Sequence, residues 1–282
     1  MAQVETTVKE TPEKIIDVKK VVASKSETLA KWMPGFILNF LKRLLREKEV
    51  NETVKRVKHL EGLEFVDGAL KDIDVTVNTI GLENIPEKGG VIIAANHPLG
   101  GIDGMAFMKA VGEVRSDIQF LVNDMLFMFE GMQSLFVPVN KVGQNPREAT
   151  KLIEEAYAKE IALLVFPSGL VSRKLPGGIQ DLDWKRSFIL KAVRNKKNIV
   201  PAHISGQNSK RFYRFSKLRQ LLGIKRNLEM GLLADEMYRQ RGSTITVRFG
   251  KAVPYQQFDN SKSPAEWAAY MRQKTYDLPK EK

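Results

Sequence analysis

The sequence predicts an α/β protein whose mostly parallel central sheet is covered by helices. Between about residues 70 and 250, segments of strand period alternate with segments of helical period, and this order favours a parallel sheet. The run VIIAAN at 91–96 is continuously apolar, which is typical of a strand buried on both faces. The length of 282 residues suits one such domain with helical additions.

The individual elements follow from the hydrophobic period of each segment. Strands are expected at about 73–77, 91–96, 118–122, 136–139, 162–166, 199–204 and 244–249. Helices are expected at about 103–113, 146–160, 185–195 and 226–241. The sequence therefore predicts an α/β domain at 63–282, preceded by two further segments.

Those two segments are a charged tail at 1–27 and a pair of basic amphipathic helices at 28–62. Apolar residues recur at helical spacing in both helices, with Lys and Arg off the stripe. Two interpretations stay open: a helical hairpin packed on the core, or an anchor at the surface of an anionic membrane. The stripe residues include Met33, Phe36, Phe40, Leu44, Val50, Val54 and Val57.

Composition limits the possible partners and chemistry. The chain has 45 Lys and Arg against 33 Asp and Glu, a net charge of +12, which favours an anionic partner such as nucleic acid, a membrane or an acidic carrier. No nucleic-acid-binding motif accompanies the charge, so no nucleic-acid partner is expected. The chain has no cysteine, which excludes disulfides and a thiol nucleophile, and no metal site is expected.

The sequence also predicts how the protein meets lipid. The N-terminus is charged and lacks the apolar core of a signal peptide. No stretch approaches the roughly 20 apolar residues that a membrane-spanning helix needs. If the protein meets lipid, we therefore expect it to do so from one side, as a peripheral, monotopic protein on the cytoplasmic face of the inner membrane.

The segment NHPLGGID at 96–103 carries the strongest chemical signal. His97 follows a buried strand, and ligand sites in α/β sheets gather at the carboxyl ends of strands. Asp103 lies beyond a glycine turn and can accept the N–H of one imidazole nitrogen, which would make the other a general base. Alternatively, His97 is an ordinary loop residue and Asp103 only caps a helix.

Three later segments decide between these readings. FVPVNK at 136–141, VFPSG at 165–169 and IVPAHISG at 199–206 follow NHPLGGID in order. Together they resemble the four motifs of the glycerolipid, or lysophosphatidic acid, acyltransferase family. NHPLGGIDG, FPSGLVSRK and PAHISGQNS resemble most its hemolysin-like bacterial subgroup, which includes O-acyltransferases of ornithine and glycine aminolipids.

The resemblance implies a glycerol-3-phosphate acyltransferase-like fold and a catalytic dyad of His97 and Asp103. It implies a lysolipid acceptor and an acyl carrier protein or coenzyme A thioester as co-substrate, with no bound cofactor. The implied substrate-binding and oxyanion-stabilising set, from the motifs and their glycines, comprises Asn96, Gly100, Gly101, Lys141, Ser168, Gly169, Arg173 and Lys174.

Three departures from the family pattern bear on the acceptor. Five residues separate His97 from Asp103, where the family has four. Ser168 replaces the usual glutamate, and Lys141 replaces the usual arginine and cannot form a bidentate fork. These changes favour a lyso-aminolipid over lysophosphatidate, and they leave open a non-catalytic lipid-binding relative.

Two further sites have alternative interpretations. Arg173 and Lys174 are candidates to bind a phosphate or carboxylate, or they lie in a solvated loop. His203, between Pro201 and Ser205, is expected to be structural rather than a second base.

Overall fold

The computed structural model describes residues 16–139 and 146–280. Within these ranges the strands are β1 Thr76–Ile80, β2 Val91–Ala95, β3 Ile118–Val122, β4 Phe136–Pro138, β5 Ala162–Val165, β6 Arg173–Leu175, β7 Gly178–Gln180, β8 Asn198–Ile204 and β9 Thr244–Phe249. The α-helices are α1 Val18–Lys25, α2 Glu27–Trp32, α3 Gly35–Leu44, α4 Glu47–Val57, α5 Gly62–Ile73, α6 Gly101–Gly112, α7 Pro146–Ala158, α8 Ser187–Arg194, α9 Lys210–Leu221, α10 Leu233–Tyr238 and α11 Pro264–Asp277.

Seven of the described strands form one sheet in the order β1-β9-β8-β2-β5-β3-β4. Every neighbouring pair is parallel except β8 and β9, which run antiparallel. The predicted class, a mostly parallel sheet flanked by helices, is confirmed. β6 and β7 form a separate antiparallel hairpin.

The sheet is buried on both faces, and its central strands β2 and β5 are apolar at every position. Ile93 and Leu164 face a core that includes residues of α4, α5 and α6. Ile92 and Leu163 face a second core formed with α7, α8 and α11. The helices cover the faces of the sheet and leave the carboxyl ends of β2, β5 and β8 uncovered, and the motif residues meet there.

The predicted pair of amphipathic helices divides into two different structures. In α4, Val50, Val54 and Val57 are buried in the core, so this helix is part of the domain and not an interfacial helix. Of the two interpretations left open by the sequence, packing on the core therefore holds for α4. The period alone could not decide, because a stripe that packs on protein and one that packs on lipid have the same period. In α3, Phe36 and Phe40 are 75% and 62% exposed.

Other differences from the predicted elements are local. Residue Ile73 ends α5, whereas a strand was expected from that position. Helix α6 begins at Gly101, two residues before the expected start. The hairpin β6–β7 and helices α9 and α11 were not predicted. Among the described residues, no helix combines the length and the apolar character required to cross a bilayer.

Candidate active site

His97 lies just beyond the carboxyl end of β2, in the centre of the sheet. The strand ends at Ala95 and is flanked by β5 and β8. The imidazole stacks on Phe166, with ring centroids 4.1 Å apart and planes inclined by 18°. Phe166 packs in turn against Phe107 and Phe120. The ring of His97 therefore has an apolar support that holds its plane.

Asp103 is the hydrogen-bonding partner of this imidazole. Nδ1 of His97 lies 3.1 Å from both carboxylate oxygens of Asp103, and the Asp103 side chain is fully buried. A carboxylate only accepts hydrogen bonds, so Nδ1 carries the proton and Nε2 presents its lone pair. The pair thus has the arrangement of a general base and the group that orients it.

The turn between the two residues accommodates the five-residue spacing. Gly100 has φ +102°, a backbone conformation that glycine adopts readily and other residues rarely adopt. A Cβ atom at this position would also lie 3.1 Å from the Leu233 side chain. The N–H groups of Leu99 and Gly100 donate to Asp103 Oδ2 at 2.6 and 3.1 Å. Asp103, at the third position of α6, therefore has both roles considered for it. It caps the start of the helix, and it is the hydrogen-bonding partner that orients His97.

A second buried carboxylate, Asp181, holds the backbone of the same turn. Its Oδ1 accepts from the His97 N–H at 3.1 Å and from the Ser172 hydroxyl at 2.6 Å, and its Oδ2 accepts from Trp184 Nε1 at 2.9 Å. Burial raises the pKa of the Asp181 carboxyl. Asp181 was not predicted from the sequence, because no motif marks a loop aspartate 84 residues away from His97.

The predicted oxyanion donors are mostly engaged elsewhere. The Ser168 hydroxyl donates to the Leu170 carbonyl at 2.8 Å, the Gly169 N–H donates to the Phe166 carbonyl at 3.0 Å, and the Gly100 N–H is held by Asp103. These three groups were expected to donate to the oxyanion, but each donates to an acceptor within its own turn. Gly101 is exposed at the first position of α6, where helical N–H groups lack an intrahelical acceptor.

The predicted Asn96 is likewise a structural contact. Its side-chain amide donates to the Ile204 carbonyl at 3.0 Å and accepts from the Ile204 N–H at 2.7 Å. These bonds extend the pairing of β2 and β8 past the end of the strand and so fix the start of the His97 turn. Lys141, the predicted cation of the second motif, lies outside the described residues.

Arg173 and Lys174 have different environments. The Arg173 guanidinium is buried and donates to Glu229 at 2.9 Å, and Glu229 also pairs with Arg219 at 2.7 Å. Neither interpretation left open by the sequence, a ligand for a phosphate or carboxylate or a residue of a solvated loop, describes Arg173, because its side chain is buried and its charge is paired with Glu229. Lys174 is exposed and lines a cavity.

This cavity has a volume of about 430 Å³ and lies beside the His97 turn. Its lining includes Asn96 and Pro98, on either side of His97, together with Lys174, His203 and Tyr276. Burial, with a smaller contribution from the Arg248 charge, lowers the pKa of His203 to about 4. His203 is therefore neutral near pH 7. No group of three His, Asp or Glu side chains in the described part of the chain could hold a metal ion.

A histidine held by a buried carboxylate at the carboxyl end of a central strand has the geometry found in enzymes that use general-base chemistry. The comparison with known families makes the class specific: the sequence profile of the Acyltransferase family matches residues 20–281. The chain belongs to that family and is an acyltransferase, as the four motifs predicted.

The relatives give finer detail. The chain is 38% identical to the lyso-glycine lipid O-acyltransferase of Bacteroides thetaiotaomicron, over 94% of this chain and 97% of that protein. It is 37% identical to the protein of the same name from Phocaeicola vulgatus, over 94% and 95%. A solved structure, the 1-acyl-sn-glycerophosphate acyltransferase of Thermotoga maritima, covers 94% of this chain and 97% of its own, with 16% identity and a TM-score of 0.47.

Proposed function

We propose that this protein transfers a fatty acyl group from an acyl thioester to the hydroxyl of a lyso-glycine lipid, with His97 as the general base. The observation that carries the proposal is the contact of His97 Nδ1 with both oxygens of Asp103, 3.1 Å each. This contact directs the basic Nε2 away from the carboxylate. The alternatives of a lysophosphatidate acceptor and of a non-catalytic relative are outcomes of the test below.

The reaction follows from the geometry of the dyad. Nε2 of His97 removes the proton of the acceptor hydroxyl while its oxygen attacks the thioester carbonyl. The tetrahedral intermediate then collapses, the C–S bond breaks, and the leaving thiolate takes the proton from the imidazolium. The products are an ester and a free thiol. Base assistance of this kind is worth about 10²–10⁴-fold.

Asp103 stabilises the imidazolium that forms during the transfer. Its carboxylate is fully buried, so the positive charge on the ring is compensated at short range in a site with little water. The Gly101 N–H at the start of α6 is our candidate donor to the tetrahedral oxyanion, since the helix N-terminus carries partial positive charge.

The acceptor is proposed from the relatives and from Lys174. Both curated relatives act, by name, on a lyso-glycine lipid, and a glycine headgroup ends in a carboxylate. Lys174 places an ammonium group at the cavity beside the His97 turn and has no acidic partner among the described residues. We propose that it binds this carboxylate.

The acyl donor is proposed to be an acyl carrier protein or coenzyme A thioester, with no bound cofactor. An enzyme that acts on a lysolipid must reach the bilayer, and Phe36 and Phe40 of α3 offer exposed aromatic side chains beside Lys42 and Arg43. We propose peripheral association with the cytoplasmic face of the inner membrane through α3.

The test uses the purified full chain with acyl carrier protein and coenzyme A thioesters, and either lyso-glycine lipid or lysophosphatidate as acceptor. We expect ester formation on the lyso-glycine lipid, and loss of transfer in His97→Ala with the circular dichroism spectrum unchanged. Transfer to lysophosphatidate alone would refute the acceptor. Absence of transfer to both acceptors with donors of several chain lengths would support the non-catalytic relative.

Substitution of Lys174 tests the headgroup contact separately. Lys174→Met should raise KM for the lyso-glycine lipid at least tenfold and leave the KM of the acyl donor unchanged. Lys88→Met is the matched control, because Lys88 is an exposed lysine before the amino end of β2, at the opposite edge of the sheet. Equal KM values in the two variants would rule out Lys174 as the carboxylate ligand.

A further inference from the structure

Helix α9 exposes apolar side chains on the face that does not pack on the protein. Its inner face is formed by Phe212, Tyr213, Ser216 and Arg219, all buried. On its outer face and in the turn that follows, an apolar patch is formed by four residues at i, i+3, i+6 and i+7. They are Phe215, Leu218, Leu221 and Leu222, which are 39%, 53%, 75% and 66% exposed.

Exposed cations surround this α9 patch. None of them forms an ion pair within residues 16–139 and 146–280, in contrast to Arg211, which pairs with Asp235. Leucines interspersed with Lys and Arg match the boundary between the acyl chains and the headgroups of an anionic bilayer. The unpaired cations are Lys210, Arg214, Lys217, Lys225 and Arg226.

The patch is joined to the exposed helix α3 by charge and by packing. Asp235 accepts from Arg46, just after α3, at 2.7 Å, and it also pairs with Arg211 in the first turn of α9. Leu44 of α3 packs against the cluster that contains Phe212 of α9. The end of α3 and the beginning of α9 therefore lie side by side.

The same helix is braced against the catalytic turn. Just before α9, the Asn208 side chain donates to the Pro98 carbonyl at 3.2 Å, one residue after His97. Near its other end, Arg219 shares Glu229 with Arg173, which begins β6. A surface that docks on α9 is thereby held at a set distance from His97.

We propose that the outer face of α9 and the turn after it bind an anionic bilayer and set the position of the active site at the lipid surface. Association of two copies of the protein through this face is disfavoured, because it would bring five unpaired cations against five others of the same charge. A bilayer supplies an apolar phase for the leucines and anions for the cations. The role of this surface in positioning the active site rests on the proposed lipid acceptor. Binding to the bilayer does not, because it is argued from the exposed leucines and the unpaired cations.

The experiment measures vesicle binding without turnover. Full-length protein is sedimented with vesicles of phosphatidylcholine and phosphatidylglycerol in a 3:1 ratio, about 0.1 M salt being used to limit exposed-charge effects. We expect the combined variant Leu218→Ser, Leu221→Ser and Leu222→Ser to raise the vesicle Kd at least tenfold. The matched control is Leu190→Ser with Val193→Ser, which alters exposed apolar residues of α8 and should stay within twofold of wild type.

Depth of insertion is read by fluorescence. Because the chain has no cysteine, Leu221→Cys and Leu190→Cys can each carry a single environment-sensitive probe. We expect a blue shift on adding vesicles for the probe at Leu221, quenched by brominated acyl chains, and none at Leu190. Circular dichroism confirms that each variant is folded.

Each outcome bears on the proposal. Unchanged vesicle binding in the α9 variant, or equal loss in the α8 control, would overturn it. So would a shift of the Leu221 probe that appears with acyl carrier protein or with protein concentration instead of vesicles. His97→Ala should bind vesicles with the wild-type Kd, so that loss of catalysis and loss of binding are separate results.

Discussion

Asp103→Asn is the sharpest test of the dyad, because it preserves shape and removes one chemical property. The carboxylate accepts from His97 Nδ1 and from two backbone N–H groups, at distances of 2.6 to 3.1 Å. An amide has one acceptor oxygen, so its NH₂ group faces either a backbone N–H or the imidazole. When the NH₂ group faces the imidazole, Nδ1 accepts its hydrogen bond and the ring favours the tautomer with Nε2 protonated. That tautomer cannot accept a proton from the acceptor hydroxyl.

The size of the effect follows from these contacts. Loss of the general base lowers kcat by about 10²–10⁴-fold. Loss of a hydrogen bond to a buried charged group costs about 1.5–3 kcal/mol of stability. The substitution should therefore leave a folded but nearly inactive protein, provided that the free energy of unfolding exceeds this cost.

The assay compares single-turnover rates of the wild type, Asp103→Asn, His97→Ala and the double variant, with urea denaturation of each. Because Asp103 acts through His97, the double variant should be no slower than His97→Ala. The reasoning is refuted when Asp103→Asn keeps more than a tenth of wild-type activity. It is also refuted when the two effects multiply, since Asp103 would then act independently of the base.

Three further outcomes are expected. Asp181→Asn should lower stability by about 1–3 kcal/mol and reduce kcat through displacement of the His97 peptide, as measured by urea denaturation and initial rates at pH 7.5. His203, with its pKa lowered to about 4, stays neutral in the folded state while the unfolded chain takes up a proton below about pH 6.5. Stability should fall by about 2 kcal/mol between pH 7 and pH 5 because of this group, and His203→Gln should remove that part of the loss; parallel curves would contradict it. Glu229→Gln should destabilise by about 3–5 kcal/mol, since two buried guanidinium groups lose their counter-ion; a change below about 1 kcal/mol in thermal and urea denaturation would show that they are hydrated.

The sequence by itself determined the fold class and the family, and it predicted the contact between His97 and Asp103. The continuously apolar run at 91–96 predicted an interior strand, and the motif after it placed His97 at the carboxyl end of that strand. Gly100 at φ +102° is the type of residue that a turn with an inserted position requires. These features are local in sequence, so a single chain is enough to read them.

The tertiary structure alone decided what each side chain contacts. Whether the stripe of α4 packs on protein or on lipid depends on what lies opposite, and the core lies there. Arg173 became a buried partner of Glu229, 56 residues away, and Asp181 reached the His97 peptide from a distant loop. Helix α9 escaped prediction because its apolar residues lie on two faces and blur the helical period. Long-range contacts of this kind leave no periodic trace, since they are set by the packing of elements and not by neighbours along the chain.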